Sequence, residues 1–315
     1  MTKITTDTLA IKSAGIFNSN KLILLLMALP FTAMVLLFSY VPLFGWIYAF
    51  FDYKPGIKLI NTPFVGFKYF MMALDFRSGS ELFIVLRNTL VLSFLGLAAS
   101  PLPVAFAIFL SEMNNRFFKK FIQTVTTLPN FISWVIVYAV FFASFSIEDG
   151  FVNQMLLSFK LIKEPLNILA NAEIAWFFQL GVGIWKGIGF GAIMYMAAIA
   201  GIDTELYDAV KVDGGGRYRK IMHIVVPGIL PTFIVLLLLS VSNMLSNGFE
   251  QYYVFMNAIV KDKLQVFDYY VYRVGLTMNE YSLSTALGMF KTIVSVSLLF
   301  SVNWLSKRLR GESII

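Results

Sequence analysis

Little in this sequence can make or break a covalent bond. There is no cysteine and one histidine, His223, which removes disulfides, thiolate nucleophiles and metal sites built from Cys or clustered His. No GxxxxGK[ST] phosphate loop occurs; Gly187, Gly189 and Gly191 are spaced by apolar residues inside a hydrophobic run. The chain is therefore expected to hold no cofactor, no metal and no catalytic residue, and to hydrolyse no ATP itself. His223 reads as a surface or docking residue. What remains is amides, hydroxyls and isolated charges set within apolar segments, the chemistry of hydrogen-bonding a solute.

Ser240, Asn243 and Asn247 fall at i, i+3 and i+7 and so share one face of a helix. Each is costly in lipid, so that face must meet protein or a watery cavity; substrate contact and hydrogen bonding between helices both fit. Glu250, Gln251, Tyr252 and Tyr253 follow, as the rim of such a cavity or as an interfacial aromatic belt. Lys186 lies about twelve residues into one apolar run and Lys291 about nine into another, which at ~1.5 Å per residue brings both towards mid-membrane. An ammonium there must be paired, hydrated or snorkelled. It could line an aqueous path and attract an acidic solute, or it could hold helix carbonyls or another subunit. Trp185 and Tyr195 offer either platforms for a solute ring or ordinary bundle packing.

The longest polar interruption, residues 202–231 (IDTELYDAVKVDGGGRYRKIMHIVVPGILP), separates apolar runs at 174–200 and 229–245. It must lie in water at a membrane face. Asp203 can cap a helix, Glu205 suits its first turn, and Leu206, Ala209, Val210 and Asp213 recur at helical spacing. A short helix is predicted, stopped by Gly214, Gly215 and Gly216, then a second over 217–224 ended by Pro227.

Hydrophobic residues make up 58% of the chain and charged ones 14%, more apolar surface than one water-soluble core of this size could cover. The chain is an integral membrane protein. Its net charge of +7 is dispersed between apolar runs, which fits membrane topology and excludes a nucleic-acid face. A polar tail at 1–20 precedes an uncleaved first span at 22–51, too long for a secretory signal. Further spans are expected at 82–110, 121–145, 174–200, 229–245 and 282–305, giving a transmembrane domain over 21–310 and a short tail at 311–315. Thirteen Lys and Arg fall at the two ends of the chain (Lys3, Lys12 and Lys21; Lys307, Arg308 and Arg310), the 111–121 loop and the central loop, against nine in the three longer alternate loops. That excess places both termini and the central loop in the cytoplasm. No internal repeat is visible, so a transporter built on two related halves would need a second subunit.

Asp208-Ala209-Val210, then Asp213-Gly214, then Ile224-Val225-Val226-Pro227 resembles the EAA loop of binding-protein-dependent ABC importers. That loop is written E-A-A, a Gly and I-x-L-P; Asp208, Val210 and Val226 depart from it by mild changes of size. Tyr40-Val41-Pro42-Leu43-Phe44-Gly45, Leu86-Arg87-Asn88-Thr89, the run from Leu128 to Trp134, Ile184-Trp185-Lys186 and the run from Val271 to Leu276 resemble the polysaccharide and oligosaccharide (LplB-like) permease branch, related to maltose-type permeases.

The resemblance implies an all-α, type I ABC importer permease fold with about six spans, in a bacterial cell membrane. It implies a coupling role for Leu206, Asp208, Ala209, Val210, Asp213, Gly214, Ile224 and Pro227, docked on a cytoplasmic ATPase dimer that binds ATP and Mg. The implied partners are a second related permease and an extracellular solute-binding lipoprotein, and the implied cargo is an oligosaccharide. Helices flanking the loop would hold the sugar, which favours Asn243 and Asn247. A non-sugar ABC permease and a stand-alone secondary transporter are the alternatives; the second lacks visible ion-coupling carboxylates.

Overall fold

A computed structural model describes residues 19–74 and 80–310. The tail at 311–315, and all but the last two residues of the tail at 1–20, lie outside them. Among the described residues every regular element is helical, apart from an isolated bridge between Phe51 and Phe64. Five helices are long and apolar enough to cross a membrane, and a bent pair would make a sixth. This agrees with an all-α protein of about six spans.

The chain divides into two units, Met1–Tyr48 and Ala49–Ile315. In the first, α1 (Ser19–Val35) passes into a π-turn, Leu36–Tyr40, and then a 3-10 stretch. Pro42 has no N–H, and its ring crowds the carbonyl four residues back, at Phe38. The backbone rings widen there instead of closing as α-helix. Large apolar side chains such as Phe31, Phe38 and Phe44 are exposed, as suits a helix in hydrocarbon.

In the second unit α2 (Lys68–Ala73) precedes α3 (Glu81–Ala99) and α4 (Pro101–Ser111), which together make one span of 31 residues. Ser80 caps its start by accepting from the Phe83 N–H. Pro101 stands in the first turn of α4, where no intrahelical donor is required.

The third span, expected as one helix over 121–145, is broken. α5 (Arg116–Thr127) and α6 (Trp134–Phe145) meet at 106°. Pro129 cannot donate within a helix; Leu128–Phe131 tighten into a 3-10 turn, Ile132 is extended, and Ser133 caps α6. After α7 (Phe151–Ser158) comes α8 (Ala175–Ala200), the axis of the bundle, packed on α3, α4, α5 and α11. Gly189 is where α5 crosses it: a Cβ there would stand 2.3 Å from the Thr126 carbonyl oxygen.

The central loop begins as expected with α9 (Thr204–Val212), whose Glu205 N–H is capped by the Asp203 carboxylate at 2.9 Å. Of the three glycines only Gly214 takes a positive φ, +69°. The stop expected at Pro227 does not occur. α10 (Arg217–Lys220) runs through a π-turn, Ile221–Val225, into α11 (Val226–Ser242), making one span from Arg217 to Ser242. The widened turn sits over the His223 carbonyl, four residues before Pro227, as at Pro42. It accommodates the ring where a tight α-turn would clash.

Residues 251–281 read as a loop but hold α12 (Glu250–Phe255), α13 (Lys261–Leu264) and α14 (Phe267–Tyr272). A π-turn, Arg273–Thr277, comes next, and α15 (Tyr281–Arg310) closes the chain against α2 and α11.

Candidate functional site

α11 ends at Ser242, so the shared helical face expected for Ser240, Asn243 and Asn247 stops there. Asn243 is the C-cap and its amide donates to the Leu239 carbonyl at 3.0 Å. The turn beyond it brings Asn247 back, and all three residues line a cavity of about 610 Å³ between α3, α8, α11 and α12. Gln251 and Tyr252 line it as well.

The wall is held by paired amides. Asn247 Nδ2 donates to Ser93 Oγ at 3.1 Å, and that hydroxyl donates to the Met244 carbonyl. Gln251 Nε2 donates to the side-chain and main-chain oxygens of Gln179 at 2.8 and 2.9 Å. Ser240 and Asn243 are more exposed. Among the described residues no charged side chain lines the cavity; its chemistry is neutral hydrogen bonding on an otherwise apolar wall, which suits a polyol.

The other candidates sit elsewhere. Of the two readings for Lys186, the geometry displays the carbonyl contact. Its Nζ donates to the carbonyls of Pro129, Asn130 and Ile132 at 2.9, 2.9 and 2.7 Å, and stands 5.2 Å from the centre of the Trp134 ring. These are the acceptors freed where α5 breaks from α6. Lys186, Trp134, Asn130, Ser133 and Glu250 surround a smaller cavity of about 350 Å³. Lys291 is ion-paired with Asp268, whose other oxygen accepts from the Gly248 N–H. Lys291 is charge-paired, and the three N–H donors of Lys186 are taken by carbonyls. Trp185 packs edge-on against Phe141 and Tyr195 is buried beside Phe233; neither lines the large cavity.

The sequence motifs turn out to tie backbone. Asn88, fully buried, donates to the carbonyls of Asp262 and Gln265, and Arg87 also reaches Asp262. Thr89 Oγ1 accepts from the Phe267 N–H at 2.9 Å. Arg273 is ion-paired with Glu81, which also accepts from Gln265. The segment from α13 to the turn after α14 is thereby strapped to α3.

In the central loop Leu206, Asp208, Ala209 and Asp213 are exposed on and just after α9, and Asp208 is paired only with Lys211, itself exposed. Val210 is half-buried under Gly215, where a Cβ would meet Val210 Cγ1 at 2.5 Å. Ile224 is buried, whereas Gly214 and Pro227 are exposed. The loop is anchored by a residue that sequence reasoning missed: Glu112, just beyond α4, receives Lys220 at 2.6 Å and Arg217 at 3.3 Å. Tyr207 lies beside them, and burial, then the Glu112 carboxylate, push its phenol above the ordinary value. Gln179 and Ser93 were also missed. The signal that singled out Asn243, a polar residue inside an apolar run, would have found both.

Residues 99–311 match the family model described as "Binding-protein-dependent transport system inner membrane component". Protein LplB of Bacillus subtilis (strain 168) is 38% identical over 294 residues, covering 92% of this chain and 90% of its own. The polygalacturonan/rhamnogalacturonan transport system permease protein YteP of the same organism is 39% identical, covering 92% and 89%. A chain in the crystal structure of a bacterial alginate ABC transporter, in complex with an alginate pentasaccharide-bound periplasmic protein, superposes with a TM-score of 0.82. It is 32% identical and covers 94% of this chain and 97% of that one.

Proposed function

The chain belongs to the binding-protein-dependent transport system inner membrane components, and we propose that it is the permease subunit of an ATP-driven importer for oligosaccharides, including fragments of polysaccharides. The supporting relatives are named for polygalacturonan/rhamnogalacturonan and alginate transport. The observation that carries the reading is the uncharged, amide-lined cavity placed between α8 and α11, the two helices that leave the 202–231 loop. A sugar there would meet Asn243, Asn247, Ser240 and Gln251, while apolar wall faces its ring carbons.

In this mechanism an extracellular solute-binding lipoprotein delivers the sugar, and a cytoplasmic ATPase dimer supplies the stroke by binding ATP with Mg. A second, related permease completes the path across a pseudo-twofold axis. Both termini lie in the cytoplasm of a bacterial cell, as does α9. Its exposed Leu206, together with Val212 and Tyr218 beyond it, forms the apolar knob that the ATPase grips. The Glu112 anchor passes movement of that knob to α4, and Arg217 and Lys220 pass it to α11.

The test is the ATPase rate of the complete lipid-reconstituted complex with its binding protein, across neutral and acidic oligosaccharides. Stimulation by one sugar class is expected. An intact complex stimulated by peptides and by no sugar would overturn the carbohydrate reading and leave the family standing.

A further inference from the structure

Four cations within the spans and the central loop have partners: Lys186 has three carbonyls, Lys291 has Asp268, and Arg217 and Lys220 share Glu112. Those of α5 differ. Arg116, Lys119 and Lys120 fill three of its first five positions, and among the described residues none of them is paired with a carboxylate. The same helix and the 3-10 turn that follows it, Leu128–Phe131, also carry an apolar stripe. Phe117, Phe121, Val125, Leu128 and Phe131 recur at three to four residue spacing, and all are exposed.

Beside this stripe runs a groove of about 340 Å³. Lys120, Gln123 and Thr124 stand at one end, and Leu128, Phe131 and Ile193 of α8 at the other. Eleven residues separate Lys120 from Phe131, about 16 Å at helical rise, close to half of a ~30 Å hydrocarbon layer. The groove thus has a cationic, hydrogen-bonding end and an apolar end about 16 Å from it, with Thr127 between them.

We propose that it binds an anionic phospholipid of the cytoplasmic leaflet. The phosphate sits at Lys120, flanked by Arg116 and Lys119, with the Gln123 amide and Thr124 hydroxyl donating to its oxygens. One acyl chain lies along Phe121, Leu128 and Phe131. An apolar protein partner would cover the stripe but leave three cations unanswered, whereas an anionic headgroup layer answers both. The assignment rests on the cytoplasmic placement of α9 proposed above, since Glu112, four residues before Arg116, is ion-paired with Arg217 and Lys220 of the same loop; it is independent of the sugar.

The experiment uses the complete complex, both permeases with the ATPase, in nanodiscs carrying photoreactive phosphatidylglycerol or phosphatidylcholine with the reactive group on the acyl chain. Cross-linked peptides are mapped by mass spectrometry. Labelling of residues 117–131 is expected to be about fivefold stronger from phosphatidylglycerol. In Lys119→Gln/Lys120→Gln it should fall to the phosphatidylcholine level, and Lys120→Arg should retain it. Equal labelling by the two lipids would make the stripe an ordinary lipid-facing surface and overturn the proposal. So would absence of labelling in the assembled complex, which would mean that a partner subunit covers the groove. Gel filtration and basal ATPase rate report folding of the variants. Should the double variant fail to assemble, the wild-type preference must still collapse at high salt, and persistence would refute the site equally.

Discussion

Replacing Lys186 by Met separates two meanings of an intramembrane cation. In the folded chain the residue is 7% exposed and its ammonium satisfies three carbonyls at the α5–α6 break. A hydrogen bond from a charged donor is worth about 1.5–3 kcal/mol net, so three would sum to roughly 4.5–9 kcal/mol if independent. They are not independent: the ammonium also bears a desolvation cost, and the adjoining 350 Å³ cavity can admit water to the orphaned carbonyls. Lys186→Met leaves neutral carbonyls, each costing about 1–3 kcal/mol when unmet, and with water reaching some of them the expected net loss is about 3–5 kcal/mol. By the scaling for folded domains this lowers the thermal midpoint of the reconstituted complex by about 5–10 °C. Uptake of neutral and acidic sugars should fall together, because the break is a scaffold for both. Lys186→Gln should fall between, since an amide donates to fewer acceptors. An unchanged midpoint, with uptake of acidic sugars alone reduced, would refute the reasoning and return Lys186 to the substrate path.

Three other outcomes are expected. Gly189→Ala should cost about 1–3 kcal/mol by overpacking, because its Cβ would meet α5 backbone that cannot swing aside; Gly181→Ala, with open space around it, should leave assembly yield unchanged. Gly214→Ala meets no neighbour but forces a side chain into φ +69°, at about 1–2 kcal/mol; it should lower sugar-stimulated ATPase activity and uptake while leaving the subunit inserted, and full coupling would argue against α9 as the transmission element. Asn243→Leu keeps volume and removes the amide from the cavity wall; transport assays should show a several-fold higher KM at unchanged basal ATPase rate, and an unaltered KM would remove Asn243 from the path.

The number and approximate position of the spans were legible because a helix in lipid needs only length and apolarity, both local properties. The breaks inside the spans were legible only as prolines, and a proline alone does not fix how the backbone continues past it. Pro101 opens a helix within a span, Pro129 precedes a right-angled break, and Pro227 is absorbed by a π-turn. The difference lies in the acceptors left behind. At Pro129 the freed carbonyls find Lys186, 57 residues along the chain, so a sharp bend is tolerated; no window of local sequence contains that fact. The cavity was half legible for a related reason. Asn243 and Asn247 were singled out by polarity, but what brings them together is the helix end at Ser242, where the spacing rule no longer holds.

The same accounting explains why the motifs carry little about cargo. Hydrocarbon offers a backbone group no partner, so each bend or helix end at membrane depth must recruit one from the protein. Lys186 does this for the α5–α6 break, and Asn88 and Thr89 do it for the segment entering α14. Residues with this duty cannot change without leaving a buried group unmet, whatever sugar passes. Two of the cavity positions are under no such constraint: Ser240 bonds only to the carbonyl one turn back, and so does the amide of Asn243. A Ser240→Ala or Asn243→Ser exchange would leave no distant partner orphaned. Cargo selectivity should therefore shift by substitution at Ser240 and Asn243 without loss of assembly, whereas Asn88→Ala should abolish assembly for every sugar. Comparing complex yield with sugar preference across these three variants separates the two classes, and a stable Asn88→Ala complex with altered preference would reverse the assignment.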